Sequence, residues 1–243
     1  MTRIALGVIA LLAFAHSAAA ATTWTAIAFT TTPQNAPQIL AAADTLMSST
    51  AGKGFPGRLL LQVHVADGNN PATHSFIPIY KTHGEREAFV QKLQADPAWN
   101  AFTAVMTKQS QPVSTVLNQT LKSWGEVVDT DHVWMGHAFT VRDPAAFVAA
   151  ADAFMASPTG KKFPGQVHLS GVVAGGLSPV THTISVGYAS EAEMGAWNAT
   201  AQASADWATY IAASRKAADY LGGSLARDIK WWGPATLAEL TGN

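Results

Sequence analysis

Histidine is the residue type in this 243-residue sequence whose placement most readily suggests chemistry: there are eight of them and no cysteine. The missing cysteines exclude disulfides, thiolate nucleophiles, Cys-ligated zinc and iron–sulfur clusters, and leave imidazole as the natural acid, base or ligand near neutral pH. His64 ends the run Arg58-Leu59-Leu60-Leu61-Gln62-Val63-His64, His168 lies in Gln166-Val167-His168-Leu169-Ser170, and His137 follows Trp134-Met135-Gly136. In an extended strand alternate side chains share a face, so Arg58, Leu60, Gln62 and His64 share one face of their strand, and Gln166, His168, Ser170 and Val172 the equivalent face of theirs. If these faces look into an enclosed space, His64, His137 and His168 are candidate catalytic groups, with Arg58, Gln62 and Ser170 as ligand-binding polar groups around them. On an open sheet the same residues would be isolated polar groups on wet strands. His74 and His182 form a different pair, each six residues before a tyrosine on the same strand face, Tyr80 and Tyr188. All four are candidate ligand-binding positions; the structural alternative is that each imidazole bonds the Pro-x-Thr turn just before it.

Sharper motifs are missing: H-E-x-x-H, G-x-S-x-G and G-x-G-x-x-G do not occur, and Ala51-Gly52-Lys53-Gly54 lacks the upstream glycine and following Ser/Thr of a phosphate loop. No motif indicates a cofactor. Asp129-Thr130-Asp131-His132, with His137 nearby, has metal-ligand residue types, but acidic linkers are common and no metal site is assigned. Fifteen basic against sixteen acidic residues give a formal charge of −1, which argues against a polyanion-binding surface and hence against nucleic acid as partner. With 48% hydrophobic and 13% charged residues there is ample material for a core.

The elements that must position these groups are legible through a repeat at an offset of 108. Ala41-Ala42-Ala43-Asp44 returns as Ala149-Ala150-Ala151-Asp152, Phe55-Pro56-Gly57 as Phe163-Pro164-Gly165, and Trp124-Gly125 as Trp232-Gly233. At the front, Trp24 and Ala28-Phe29-Thr30 match Trp134 and Ala138-Phe139-Thr140 at an offset of 110, which places two extra residues in the loop near Pro33 to Pro37. Trp24–Thr31 and Trp134–Val141 read as strands, and Pro37–Ser49 and Pro144–Ser157 as amphipathic helices ended by the Phe-Pro-Gly turn. Strands Arg58–Val65 and Ser75–Tyr80 follow, joined across Asp67-Gly68-Asn69-Asn70-Pro71, whose second copy is Ala174 to Pro179. One long helix is expected over Glu85–Met106 and another over Glu191–Ala218, each leading to a last strand that ends at Trp124 or Trp232. Leu59, Leu61, Val63 and Val65, with Val167, Leu169, Gly171 and Val173, should be covered by helices. Asn118, Thr120 and Lys122, with Ala226, Asp228 and Lys230, should face the other way. Each unit then reads β-α-β-β-α-β, the ferredoxin-like order, with units at 21–127 and 128–243. The tryptophans at 24, 99, 124, 134, 207 and 232 are expected in the core or around an aromatic pocket.

With its second-helix phrases Asp96-Pro97-Ala98-Trp99-Asn100-Ala101-Phe102 and Ala205-Asp206-Trp207-Ala208-Thr209-Tyr210, the chain resembles the dimeric α/β-barrel superfamily, and its units are similar to antibiotic-biosynthesis-monooxygenase-like domains. The resemblance implies an α+β fold in which two tandem ferredoxin-like units pack as an intramolecular barrel, so that the chain is its own pseudo-dimer, with further oligomerisation open. It implies a small-molecule ligand, hydrophobic or aromatic, in the barrel cavity. The alternatives are a cofactor-independent monooxygenase-like or cyclase-like enzyme using a pocket histidine, a haem protein by analogy with chlorite-dismutase-like members, whose motifs are absent, or a scaffold with a filled barrel.

Residues 1–20 read as a secretory signal peptide: Arg3, an apolar run from Ile4 to Phe14, then small residues around Ala20, where cleavage is expected. The run is short for a membrane anchor, and no later segment is apolar enough to span a bilayer, so a periplasmic or secreted mature chain is expected.

Overall fold

A computed structural model describes residues 22–175 and 179–241. The expected signal peptide and the tip of the second hairpin lie outside these residues. The chain runs β1 (Thr23–Thr31), α1 (Ala36–Ser48), α2 (Thr50–Lys53), β2 (Arg58–Ala66), β3 (His74–Tyr80), α3 (His83–Gln94), α4 (Pro97–Gln109) and β4 (Ser110–Gly125). It continues β5 (Val133–Val141), α5 (Pro144–Ala156), a 3-10 turn, β6 (Gln166–Ala174), β7 (His182–Tyr188), α6 (Glu191–Gln202), α7 (Ala205–Ala217), β8 (Ala218–Trp232) and α8 (Leu237–Thr241). This is an α+β fold. The strands close into an antiparallel barrel in the order β1-β3-β2-β8-β5-β7-β6-β4. Closure depends on the two longest strands: β4 pairs with β1 on one side and β6 on the other, and β8 with β5 and β2. Closing the sheet on itself leaves no unpaired edge.

The helices cover the outside of the barrel because one strand face supplies large apolar side chains. Phe29, Leu61 and Phe76 pack under Ile39 and Ala43 of α1, while Leu169 and Ile184 pack with Phe147 of α5. Burying each such side chain stabilises the fold by about 1.5–3 kcal/mol.

Three expectations need correction. The long second helices are each broken in two. Asp96 caps α4 by accepting from the Ala98 N–H (2.7 Å), with Pro97 in the first turn, and Ser204 caps α7 by accepting from the Trp207 N–H (3.1 Å). Such side chains satisfy amide hydrogens that a helix start leaves orphaned, and so favour a new start over continuation. Second, Val65 and Val173 are 47% and 50% exposed, because each is the extra residue where the register of β2 against β8, or of β6 against β4, shifts. Third, the register of β4 shifts between Thr120 and Lys122, and that of β8 between Asp228 and Lys230. The bulged residues Leu121 and Ile229 are extruded, 52% and 44% exposed, and reverse the alternation beyond them. Asn118 and Thr120 therefore stay inside the barrel while Lys122 and Lys230 face out.

The outward lysines have defined partners. Lys122 and the Trp124 indole N–H both bond Asp152 on α5, and Lys230 and the Trp232 indole N–H both bond Asp44 on α1. The repeated Ala-Ala-Ala-Asp and Trp-Gly phrases thus meet, but crosswise: the last strand of the first half holds the first helix of the second, and vice versa. Next to these contacts Gly125 (φ +81°) and Gly233 (φ +108°) abut the carbonyls of Gly165 and Gly57, where a Cβ would come within 2.2 and 2.1 Å of oxygen. Only glycine fits that backbone conformation and that approach.

One end of the barrel is stoppered by α8. Leu237 and Leu240 pack on Leu60 and Ile79, and the Thr22 hydroxyl donates to the Leu240 carbonyl. Among the described residues no helix is long and apolar enough to cross a membrane.

Candidate functional site

The barrel encloses a cavity of about 610 Å³. Trp24, Leu60, Ile77, Ile79, Val116 and Trp134 form much of its wall, and α8 forms its floor. Because β2 runs from Leu60 at the floor toward the β2–β3 hairpin, the other end opens beside Asp67–Asn70 and Gly222-Gly223. An apolar pocket with a few convergent polar groups is the usual form of a small-molecule site.

Near the mouth, β2 and the hairpin place three polar side chains in line. The His64 Nδ1–H donates to Asp67 Oδ2 at 2.9 Å, and Nε2 accepts from the Ser75 hydroxyl at 2.8 Å. Asn70 also donates to Asp67 Oδ2, at 2.6 Å, fixing the carboxylate against the hairpin. A carboxylate at Nδ1 selects the tautomer in which Nε2 is the basic nitrogen.

His168, on β6 in the wall, is held differently. Its Nε2–H donates to Gln166 Oε1 (2.9 Å), and Nδ1 accepts from the Ser123 hydroxyl (2.8 Å). Gln166 in turn donates to Asp131 Oδ2 and to the Val128 carbonyl. Burial holds the His168 imidazole neutral, its pKa lowered to about 4, and raises that of Asp131. Ser170 is fully buried and accepts from the Trp24 indole at 3.1 Å. Arg58 is buried too, paired with Asp129 and stacked 4.2 Å from the Trp231 ring centroid. It ties the barrel floor to the linker between β4 and β5 and does not line the cavity. Gln62 does line it, donating to Asp228 Oδ1 (2.9 Å), whose other oxygen accepts from the Trp134 indole (3.2 Å). Burial raises the Asp228 pKa against those two hydrogen bonds. His137 belongs to the strand beside the mouth but turns its side chain to the outer face, opposite Ile184 and 3.5 Å from the Tyr220 hydroxyl, and its pKa is lowered by burial.

The structure thus brings His64, His168 and Gln62 to one cavity, with Ser170 behind its wall, whereas the His137 side chain lies on the outer face of β5, paired with Ile184 and on the same side as Phe139 and His182. The other four candidates lie on the opposite strand face. His74 Nδ1 bonds the Thr73 hydroxyl and its ring stacks on Phe29; His182 Nδ1 bonds the Thr181 hydroxyl. Tyr80 packs under α3 against Phe55 and Phe89, its pKa pushed up to about 12 by burial, and Tyr188 packs against Phe163, its pKa likewise raised. The six-residue spacing does put each histidine and tyrosine on one face, but that face lies under the helices, so none of the four reaches the cavity. Asp67 and Ser75 are the site residues that residue-type reasoning did not single out, whereas Asp228 stands on the inward face expected for it. The signal available was the hairpin: an acidic residue three positions beyond an inward histidine sits where the turn folds it back.

Haem, which the resembled superfamily implies, does not fit these residues. Both ring nitrogens of His64 and of His168 are committed, His137 turns to the outer face, and among the described residues no lysine or arginine lines the cavity to pair with propionates. In the linker, Asp129 and Asp131 are spent on Arg58 and Gln166, and no cluster of three metal-ligating side chains occurs among the described residues.

No family model matches the sequence, and no curated protein matches it in sequence. Solved structures do match in fold. A candidate monooxygenase from Fusobacterium nucleatum superposes with a TM-score of 0.62 at 11% identity, over 90% of this chain and 97% of that one. An anthrone oxidase-like protein gives 0.58 at 13% identity, over 87% and 92%. A haem-binding protein from Thermus thermophilus gives 0.52 at 9% identity, again over 87% and 92%. Those three names describe different chemistries, so what this chain shares with these ferredoxin-like neighbours is the α+β architecture, and its function rests on its own cavity.

Proposed function

We propose that the barrel binds a small, largely apolar or aromatic molecule in its central cavity. The observation that carries this reading is the 610 Å³ space itself, walled by Trp24 and Trp134 and supplied with a few fixed polar groups. Two tandem ferredoxin-like units, 21–127 and 128–243, form the barrel as a pseudo-dimer, and the chain acts in the periplasm or outside the cell after loss of residues 1–20. The repeated phrases that meet crosswise support the first point, and the leader-like N-terminal sequence supports the second.

The test is titration with N-phenyl-1-naphthylamine, a neutral apolar dye. Saturable binding at one site, with quenching of tryptophan fluorescence, is expected in the native protein and should be lost in Ala26→Trp, which fills the cavity. Absence of saturable binding, or binding indifferent to Ala26→Trp, would refute the reading.

A second reading is favoured by the anchored imidazole. Held by Asp67, His64 can accept a proton from a bound phenol-like substrate, as cofactor-independent monooxygenase-like or cyclase-like chemistry requires. Turnover of such a substrate lost in His64→Gln, with dye binding kept, would distinguish an enzyme from a binding protein.

A further inference from the structure

We infer that Asp67, His64 and Ser75 form a nucleophilic triad, and that the chain cleaves esters with a flat, apolar acyl group through transient acylation of Ser75. The inference rests on the cavity being a ligand site, as proposed above, and goes beyond it in naming a reaction. The three side chains are connected in the order such chemistry needs: carboxylate to Nδ1–H at 2.9 Å, Nε2 to hydroxyl at 2.8 Å. Among the described residues the His64 imidazole is the one hydrogen-bond partner of the Ser75 side chain, and all three residues line the cavity near its mouth.

A structural role alone does not account for the array. The hairpin is closed without it, by the Asn70 N–H to the Asp67 carbonyl and by the Ala72 N–H to Asn70 Oδ1. The corresponding strand pair β6–β7 forms with Val172 and Gly175 where β2 and the hairpin have His64 and Asp67. Gln62 stands directly opposite Ser75 in the β2–β3 ladder, a pairing that puts the two Cβ atoms about 5 Å apart. Its amide gives one hydrogen to Asp228 and has a second with no protein partner among the described residues, so it can donate to an oxyanion forming beside Ser75. The class of ester follows from the walls: aromatic and aliphatic, with no lysine or arginine to hold an acidic acyl group.

In the first step Ser75 Oγ bonds to the ester carbonyl carbon while His64 Nε2 takes the hydroxyl proton. The carbon–oxygen bond to the leaving group then breaks, and the alcohol departs with that proton. Water, deprotonated by the same nitrogen, attacks the acyl-serine, releases the carboxylic acid and restores the hydroxyl. No oxidant or cofactor is consumed.

The experiment mixes the purified chain with 4-nitrophenyl 1-naphthoate, follows 4-nitrophenolate release, and maps the naphthoyl adduct by peptide mass spectrometry, with N-phenyl-1-naphthylamine binding measured on the same samples. The expected result is release above the uncatalysed rate and an adduct on the peptide containing Ser75. Ser75→Ala should lose both while still binding dye. Asp67 is a positioning residue, so Asp67→Asn should slow acylation by roughly a hundredfold or more at an unchanged half-saturating ester concentration. A native chain that binds dye but forms no adduct, or an adduct that persists in Ser75→Ala, overturns the triad and leaves the cavity reading standing. If dye binding fails as well, both readings fall.

Discussion

His168 provides a quantitative test of how dry the barrel wall is. Burial lowers its pKa to about 4 from the ordinary 6.5, so between those values the unfolded chain takes up a proton that the folded chain refuses. Folding stability is therefore unaffected by this group above about pH 6.5, falls as pH drops through the window, and levels off below about pH 4. The slope is about 1.4 kcal/mol per pH unit, and the whole window amounts to about 3 kcal/mol. His168→Gln removes the titration while keeping a polar side chain beside Ser123 and Gln166. At pH 7 the variant should be less stable by about 1–3 kcal/mol, because two hydrogen bonds of a buried network are disturbed. Urea unfolding at pH 7, 6, 5 and 4 should show that deficit shrinking by about 3 kcal/mol, and reversing if the starting deficit is small. The other histidines are common to both proteins, and their contributions cancel in the difference. Parallel stability curves for the two proteins from pH 6.5 to 4 would refute a dry, neutral His168 and with it the network from Ser123 to Asp131.

Three further outcomes follow from the packing. Asp152→Ala leaves Lys122 and the Trp124 indole without their shared acceptor and should cost about 1 kcal/mol in urea unfolding; Asp44→Ala should match it, since Lys230 and Trp232 use the same arrangement. Gly125→Ala drives a methyl group onto the Gly165 carbonyl at positive φ and should destabilise the fold by about 2 kcal/mol or more, read as a lowered midpoint. Leu240→Ala removes a 3% exposed side chain from the floor, at a cost of about 2–4 kcal/mol, and should admit dye faster in stopped-flow mixing without raising its stoichiometry.

How much of this was readable in advance depends on the range of the interactions. The β-α-β-β-α order, the strands around Trp24, Arg58, Trp134 and Gln166, and the inward set Leu60, Gln62, His64 and His168 follow from period-two alternation and turn residues, which are local. The bulges at Leu121 and Ile229 are not local: each is set by the register against a strand from the other half of the chain, and a one-residue shift sends Lys122 and Lys230 outward. The helix breaks before Pro97 and at Ser204 rest on single capping side chains, Asp96 and Ser204, which the apolar spacing on either side does not reveal. The five-residue α8 is too short to announce itself by periodicity, and its role as a floor depends on where β8 ends. At the site, His64 was legible from its strand, whereas Asp67 and Ser75 join it only once the hairpin has folded.

The crosswise clasp has a consequence for symmetry. In a barrel assembled from two identical subunits every substitution appears twice, so a change that improves one end of the cavity also alters its twofold mate. Here the whole closed sheet belongs to one chain and each position can vary alone. An acid, an imidazole and a hydroxyl can gather at one mouth while the opposing strands keep Val172 and Gly175. Since β4 pairs with β6 and β8 with β2, the N-terminal and C-terminal halves of the chain complete one another's walls. Separated at the linker, each would carry a last strand shaped to hold a helix it no longer has, and the two pieces should regain the barrel only by finding one another at a rate set by concentration.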